Sequence, residues 1–371
     1  MNKIIYSFLI IAALSCNSNK NSREISSNDD LANTLENYYD ERMELFPLEA
    51  TYNGDTRYNH LLPADFTDNY RIRLKDFFIK YKQALSKFDP ATLNDNDKKS
   101  YDILSYDIDM ELRGLDLNFM GSTFLNDNIY IPFDQKNGLP LLLGQMGSGR
   151  GIQPFKTVKD YENWLERATA FSVWTDSAIV AFKKGAENNY VLPKAAVIKM
   201  IPQMLDLVTT DANKSLFYGP VQLMPDDFSD ADKKRLTAAY IDVINNIIVP
   251  SYKKLADFLQ TEYLPKARST SGINALPGGD SLYTYLVKYW TTTNNTPDEI
   301  YQTGLSEVSR IREAMEMVKN QLAFKGSLDS LFTFMRTDKQ FMPFKTAEEV
   351  LEATRKIQER IDPNLKKMFS L

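Results

Sequence analysis

"TPDEIYQTGLSEVSRIREAMEMVKNQL", residues 296–322, decides the fold class. Thr296 stands as an N-cap and Pro297 takes the first helical position, where its missing N–H costs nothing. Glu299 is placed to reach back to the cap, completing a capping box. Tyr301, Gly304, Val308, Ile311, Met315, Val318 and Leu322 then recur three and four apart, which is one face of an α-helix. A long helix over this span is expected.

The same period recurs outward along the chain. Tyr70, Leu74, Phe77, Tyr81, Ala84 and Phe88 follow it until Pro90, and Tyr101, Leu104, Ile108, Leu112 and Leu115 repeat it. Thr157, three residues before Asp160, opens a segment through Tyr161, Trp164, Ala168 and Phe171, with Gly185 expected to end it. Pro193 is expected to open the next helix and Pro202 to kink or divide it. Lys345 to Glu349 reads as one more helix start. Only "NDNIYIPFDQ" (126–135) and "SLFYGPVQL" (215–223) carry strand signals, and each reads equally as loop. The expected class is all-α, with no domain boundary visible inside residues 31–371.

The 371 residues are 43% hydrophobic and 12% aromatic, enough for a substantial core. The 44 basic and 49 acidic residues give a net charge of −5, spread along the chain. No basic face is implied, so nucleic acid is not expected as a partner. At the amino terminus, "MNKIIYSFLIIAALSC" has a short positive region at Lys3 and an apolar run too short to span a bilayer. It fits a secretory signal over residues 1–15. Cys16, the sole cysteine, follows Ala13-Leu14-Ser15 as in the lipobox of bacterial lipoproteins. Lipidation at Cys16 would anchor the chain to a membrane on the periplasmic side or the cell surface. Residues 16–30 are Asn/Ser-rich and read as a flexible tether to a helical domain over 31–371.

Candidate chemistry is sparse. His60, the one histidine, lies in the turn-like "GDTRYNHLLP", and no Gly-x-Ser-x-Gly elbow supplies a partner serine. With one histidine and no thiol left after acylation, no metal site is expected in this chain. "GQMGSGRG" (144–151) lacks a phosphate-loop ending and reads as a flexible loop lining a cleft with Arg150. Asp102, Asp107, Asp109 and Glu111 lie on one predicted helix, with Asp107 and Glu111 four apart. They read as its solvated face rather than as paired catalytic acids.

The stretch "ALPGGDSLYTYLVKYWTTTNNTPDEIYQTGLSEVSRIREAM" (275–315) resembles the signature region of the bacterial family known as domain of unknown function 885. "PLEATYNGDTRYNHLLPADF", "QKNGLPLLLGQM", "YVLPKAAVIKMI" and "FMRTDKQFMPFKTAEEVLEATRKIQERIDPNLKKMF" follow the family in order, and the resemblance covers residues 35–371. It implies a long-helix, gluzincin-related architecture like that of the carboxypeptidase Taq-like and oligopeptidase-like zinc metallopeptidases, with members often exported as lipoproteins. Zinc is expected for complete members, on a His-Glu helix that activates water against a peptide bond.

That helix is not in this sequence, and relatives are expected to run on past "NLKKMFSL". Trp290 and Tyr301 stand where relatives usually carry histidines. No catalytic residue carries over. Gly278, Gly279 and Tyr283 match the family motif and are expected to line a substrate cleft. The expected function is therefore the N-terminal portion of a lipid-anchored, zinc-metallopeptidase-like protein, inactive by itself. The alternative is a complete, non-catalytic helical lipoprotein that binds peptides or a partner protein.

Overall fold

In a computed structural model, which describes residues 27–119 and 128–369, the chain divides into two compact units, Met1–Trp290 and Thr291–Leu371. The sequence signals had shown no such boundary. Residues 1–26, including Cys16 and the expected signal peptide, lie outside the described residues.

The first unit carries α1 (Asp29–Leu45), α2 (Pro47–Tyr52), α3 (Asp68–Leu85), α4 (Asp95–Asp116), α5 (Leu139–Gln145), α6 (Val158–Thr169), α7 (Phe171–Glu187), α8 (Lys194–Leu205), α9 (Gly219–Gln222), α10 (Asp230–Val243), α11 (Val249–Phe258) and α12 (Gly279–Thr291). The second carries α13 (Pro297–Gln321), α14 (Leu328–Thr337) and α15 (Ala347–Met368). The fold is all-α: among the described residues there is no strand, only three isolated bridges. The stretch 215–223 forms short helical turns rather than a strand.

Helix starts follow their local chemistry. Thr157 and Asp160 make the capping box of α6, and Thr296 and Glu299 that of α13. Backbone and hydroxyl donors of Thr296 hold the Glu299 carboxyl below its usual range. The tether yields earlier than expected: Asn28 caps α1 by accepting from Leu31 N, and Asp29 and Asp30 sit in its first turn. Asn28 N also donates to Asp97 Oδ2 at 2.7 Å, tying the start of α1 to that of α4.

Three other expectations are corrected. Ala170 separates α6 from α7, and Gly185 lies inside α7, where a side chain would meet Tyr190 O at 2.8 Å. The left-handed residue after α7 is Asn189, φ 57°. Pro202 sits in the last turn of α8, which it does not divide. Residues 144–151 are not a free loop: α5 runs into a π turn over Met146–Arg150, with Met146 and Gly147 buried. Two further π turns, Ile244–Ile248 and Leu259–Tyr263, each end two residues before a proline, Pro250 and Pro265. The wider turn accommodates a ring that has no N–H to offer the preceding carbonyls.

Packing in the first unit forms two main cores and a seam. Tyr70, Leu74, Phe77, Phe78, Ile108 and Leu115 join α1, α3 and α4. Trp164, Phe171, Trp174, Phe182, Phe217 and Tyr252 centre the larger core of α5 to α11. Arg167 is fully buried there without a carboxylate. Its Nε donates to Leu61 O, Nη1 to Thr51 Oγ1 and Gln153 Oε1, and Nη2 to Pro47 O and Tyr58 O. Burial pulls its pKa down to about 9, but all five donors are satisfied and the guanidinium stays charged at neutral pH. One side chain thus fastens the loop that carries His60 to the large core.

The second unit is built differently. Leu328 and Leu331 of α14 are buried, and Phe334 contacts Phe324 and Phe341 at ring distances of 5.6 and 5.5 Å. Helices α13 and α15 bury no residue at all. The apolar stripe expected on α13 forms, but Val308 is 67% exposed and Leu322 64%.

Candidate ligand cleft

The seam between the two cores of the first unit encloses one of its cavities. It is made by the end of α4, Phe119, Tyr190 and α12. The entry to α12 depends on two glycines. Gly278 has φ 69°, a left-handed conformation that favours glycine. At Gly279 a Cβ would lie 2.0 Å from Ile273 O. The close approach that the double glycine implies is therefore to the chain's own turn at Ile273–Ala275.

Two faces of α12 then do different work. Tyr285 and Tyr289 face α4: Tyr285 Oη donates to Met110 O at 2.7 Å, and Tyr289 Oη donates to Glu111 Oε1 at 3.3 Å. Phe119 packs edge-on to both rings. Leu282, Leu286 and Trp290, spaced four apart, line an open cavity of about 300 Å³ with Phe119, Ile131 and Leu276. Asn128, Asp134, Asn137, Arg268 and Ser271 supply its polar groups. That volume and an apolar lining with few polar groups suit a small ligand. Gly278, Gly279 and Tyr283 are not among its lining residues, and Tyr283 is exposed.

Behind α12 the four acids of α4 separate. Asp102 pairs with Lys98 and Asp109 with Lys82 on the solvent side. Asp107 and Glu111 turn inward instead, and Glu111 is buried. Asp107 lies near Arg42, which grips Glu49 through Nε and Nη2 at 3.0 and 2.9 Å, and Glu111 accepts from Tyr289 Oη. Burial raises the Asp107 carboxyl above its ordinary range, with Arg42 opposing. Burial likewise pushes the Tyr38 hydroxyl up to about 12 and raises Tyr289 further. Reading all four acids as a solvated face thus holds for two of them. The inward pair forms a compensated charge cluster between α1, α4 and α12.

Zinc finds no site in these residues. Among the described residues no three His, Cys, Asp or Glu side chains are grouped to hold a metal ion. No described helix is long and apolar enough to cross a membrane. Trp290 and Tyr301 are both exposed.

An all-helical protein with an apolar, arginine-bearing cleft is the class that these features define. The chain belongs to the family of bacterial proteins of unknown function DUF885, which it matches over residues 47–371. No curated protein matches it. Among solved structures it is similar to "the putative lipoprotein from Colwellia psychrerythraea", at 19% identity and a TM-score of 0.77. That match covers 94% of this chain but 61% of the other, so this chain spans about three fifths of its neighbour's length.

Proposed function

We propose that this chain is the N-terminal portion of a lipid-anchored, zinc-metallopeptidase-like envelope protein, and that it does not hydrolyse peptides by itself. The observation that carries the reading is the mismatch of lengths: almost all of this chain fits within 61% of its solved neighbour. The bare apolar faces of α13 and α15 support it, because stripes at helical spacing are ordinarily covered by other elements of the same protein. Cys16 after a short apolar run, together with a neighbour described as a lipoprotein, supports the anchor. The cleft beside α12 would then be one wall of a substrate site, with the metal-bearing wall contributed by polypeptide beyond this chain.

Peptide hydrolysis by the purified chain, measured with and without added zinc, tests the reading. No turnover is expected in either condition. Zinc-dependent turnover by this chain alone would overturn it.

A further inference from the structure

The cleft beside α12 holds a charge with which no described carboxylate forms an ion pair. Arg268 is fixed by its backbone, with N donating to Leu192 O and O accepting from Lys194 N. Its side chain is fixed as well. Nε donates to Val191 O at 2.9 Å, and Nη1 donates to Thr270 O at 2.7 Å and Gly272 O at 2.8 Å. Every strong partner is a neutral carbonyl. Among the described residues no carboxylate forms an ion pair with Arg268, and Nη2 donates to none of their groups. Asp134, the other charged residue on the cavity wall, is turned to its own loop, where Oδ1 accepts from Lys136 N and Asn137 N.

A guanidinium held by three carbonyls is a positioned donor with its orientation already set. Such a group favours a carboxylate, which it meets with short, charge-assisted hydrogen bonds. Beside the polar groups of Asn128, Asn137 and Ser271, the cavity is walled by hydrocarbon and aromatic side chains: Phe119, Ile131, Leu276, Leu282, Leu286 and Trp290. These walls match an apolar body of modest size, and about 300 Å³ admits one aromatic or branched group rather than a long chain.

We propose that this cleft binds a carboxylate carried on a compact apolar body, with Arg268 as the anion-binding residue and Trp290 covering the apolar part. The chemistry has two sources, the C-terminal apolar residue of a peptide or a free aryl or branched acid. The proposal concerns residues of this chain alone and stands whether or not the chain is part of a peptidase.

Two acids and their neutral counterparts serve as probes on the full chain: N-acetyl-phenylalanine and its amide, and 3-phenylpropionate and its amide. Trp164 and Trp174 are buried, whereas Trp290 is 71% exposed, so acrylamide quenching reports chiefly on the cleft. At least one acid is expected to shield Trp290 and to bind at least tenfold more tightly than its amide, and the tighter acid identifies the source. Arg268→Gln should abolish that preference, but it also removes bonds that hold the loop. Ser271→Asp keeps those bonds and sets a carboxylate at an exposed position beside the Thr270 and Gly272 carbonyls. It should weaken acid binding at least tenfold while leaving the unfolding midpoint in place. Equal binding of acids and amides, no shielding of Trp290 by either acid, or undiminished affinity in Ser271→Asp would each overturn the proposal.

Discussion

Tyr285 reaches from α12 to α4, 175 residues away in sequence, and donates its hydroxyl to Met110 O at 2.7 Å over the bare backbone of Gly114. A Cβ at position 114 would lie 2.6 Å from that hydroxyl. The pair fixes how closely the cleft helix approaches the charge cluster. Tyr285→Phe is expected to cost about 1 kcal/mol, the usual net worth of one intramolecular hydrogen bond. Gly114→Ala should cost about 1–3 kcal/mol through overpacking, despite alanine's better helix propensity. Because Tyr285→Phe removes the clashing atom, Gly114→Ala should cost much less in that background. Urea midpoints of both single variants and the double variant measure the coupling, and strict additivity would contradict it.

Arg167 gives the second expectation. Arg167→Met removes the donor to the Leu61 carbonyl, Thr51 Oγ1 and Gln153 Oε1, and one of the donors to the Pro47 and Tyr58 carbonyls. A loss of several kcal/mol is expected, since each buried acceptor left without a partner costs about 1–3 kcal/mol. Arg167→Lys should rescue little, since an ammonium has three donors and no planar fork. Chemical denaturation of the three proteins is the check.

Helix boundaries in this molecule are legible in sequence because their causes are local. Thr157 with Asp160 and Thr296 with Pro297 and Glu299 each set a helix start within four residues. The cleft was not legible in this way. Its walls come from residues 119 to 290, and Arg268 sits in a polar loop with no periodicity to mark it. Gly278 and Gly279 stand at the start of α12, and the close approach at Gly279 is to Ile273 O. The sequence places Asp107 and Glu111 outward because a charged residue ordinarily marks the wet face of a helix. Arg42, at the far end of another helix, reverses that for Asp107 by compensating it.

That inward pair predicts a pH dependence. Burial raises the folded-state pKa of Asp107 above the ordinary 3.8, with Arg42 opposing and Glu49 reinforcing the shift. Between those two pKa values the folded state binds more protons than the unfolded state, so this group's contribution to stability falls as pH rises through the window. Tyr38, Glu111 and Tyr289 share the cluster. Asp107→Asn should therefore be more stable than the parent at pH 7, with the advantage shrinking as pH drops toward 3.8. Thermal melts across pH 3.5 to 7.5 would show it, and a penalty that grows with pH would contradict the assignment.

The second unit predicts surface behaviour. Val308 and Val318 are exposed on one stripe of α13, and Ile357 and Ile361 are exposed on α15. An apolar dye should bind the full chain strongly, and Val308→Glu with Val318→Glu should lower its fluorescence severalfold without shifting the melt. A dye-silent parent chain would count against these faces being free.

If this chain is, as proposed, one part of a longer polypeptide, coding sequence continues past the Leu371 codon. The most direct test is the nucleotide sequence immediately after the Leu371 codon, read in every frame. It is expected to encode a His-Glu helix with a downstream acid. Unrelated coding sequence, or none, would contradict it.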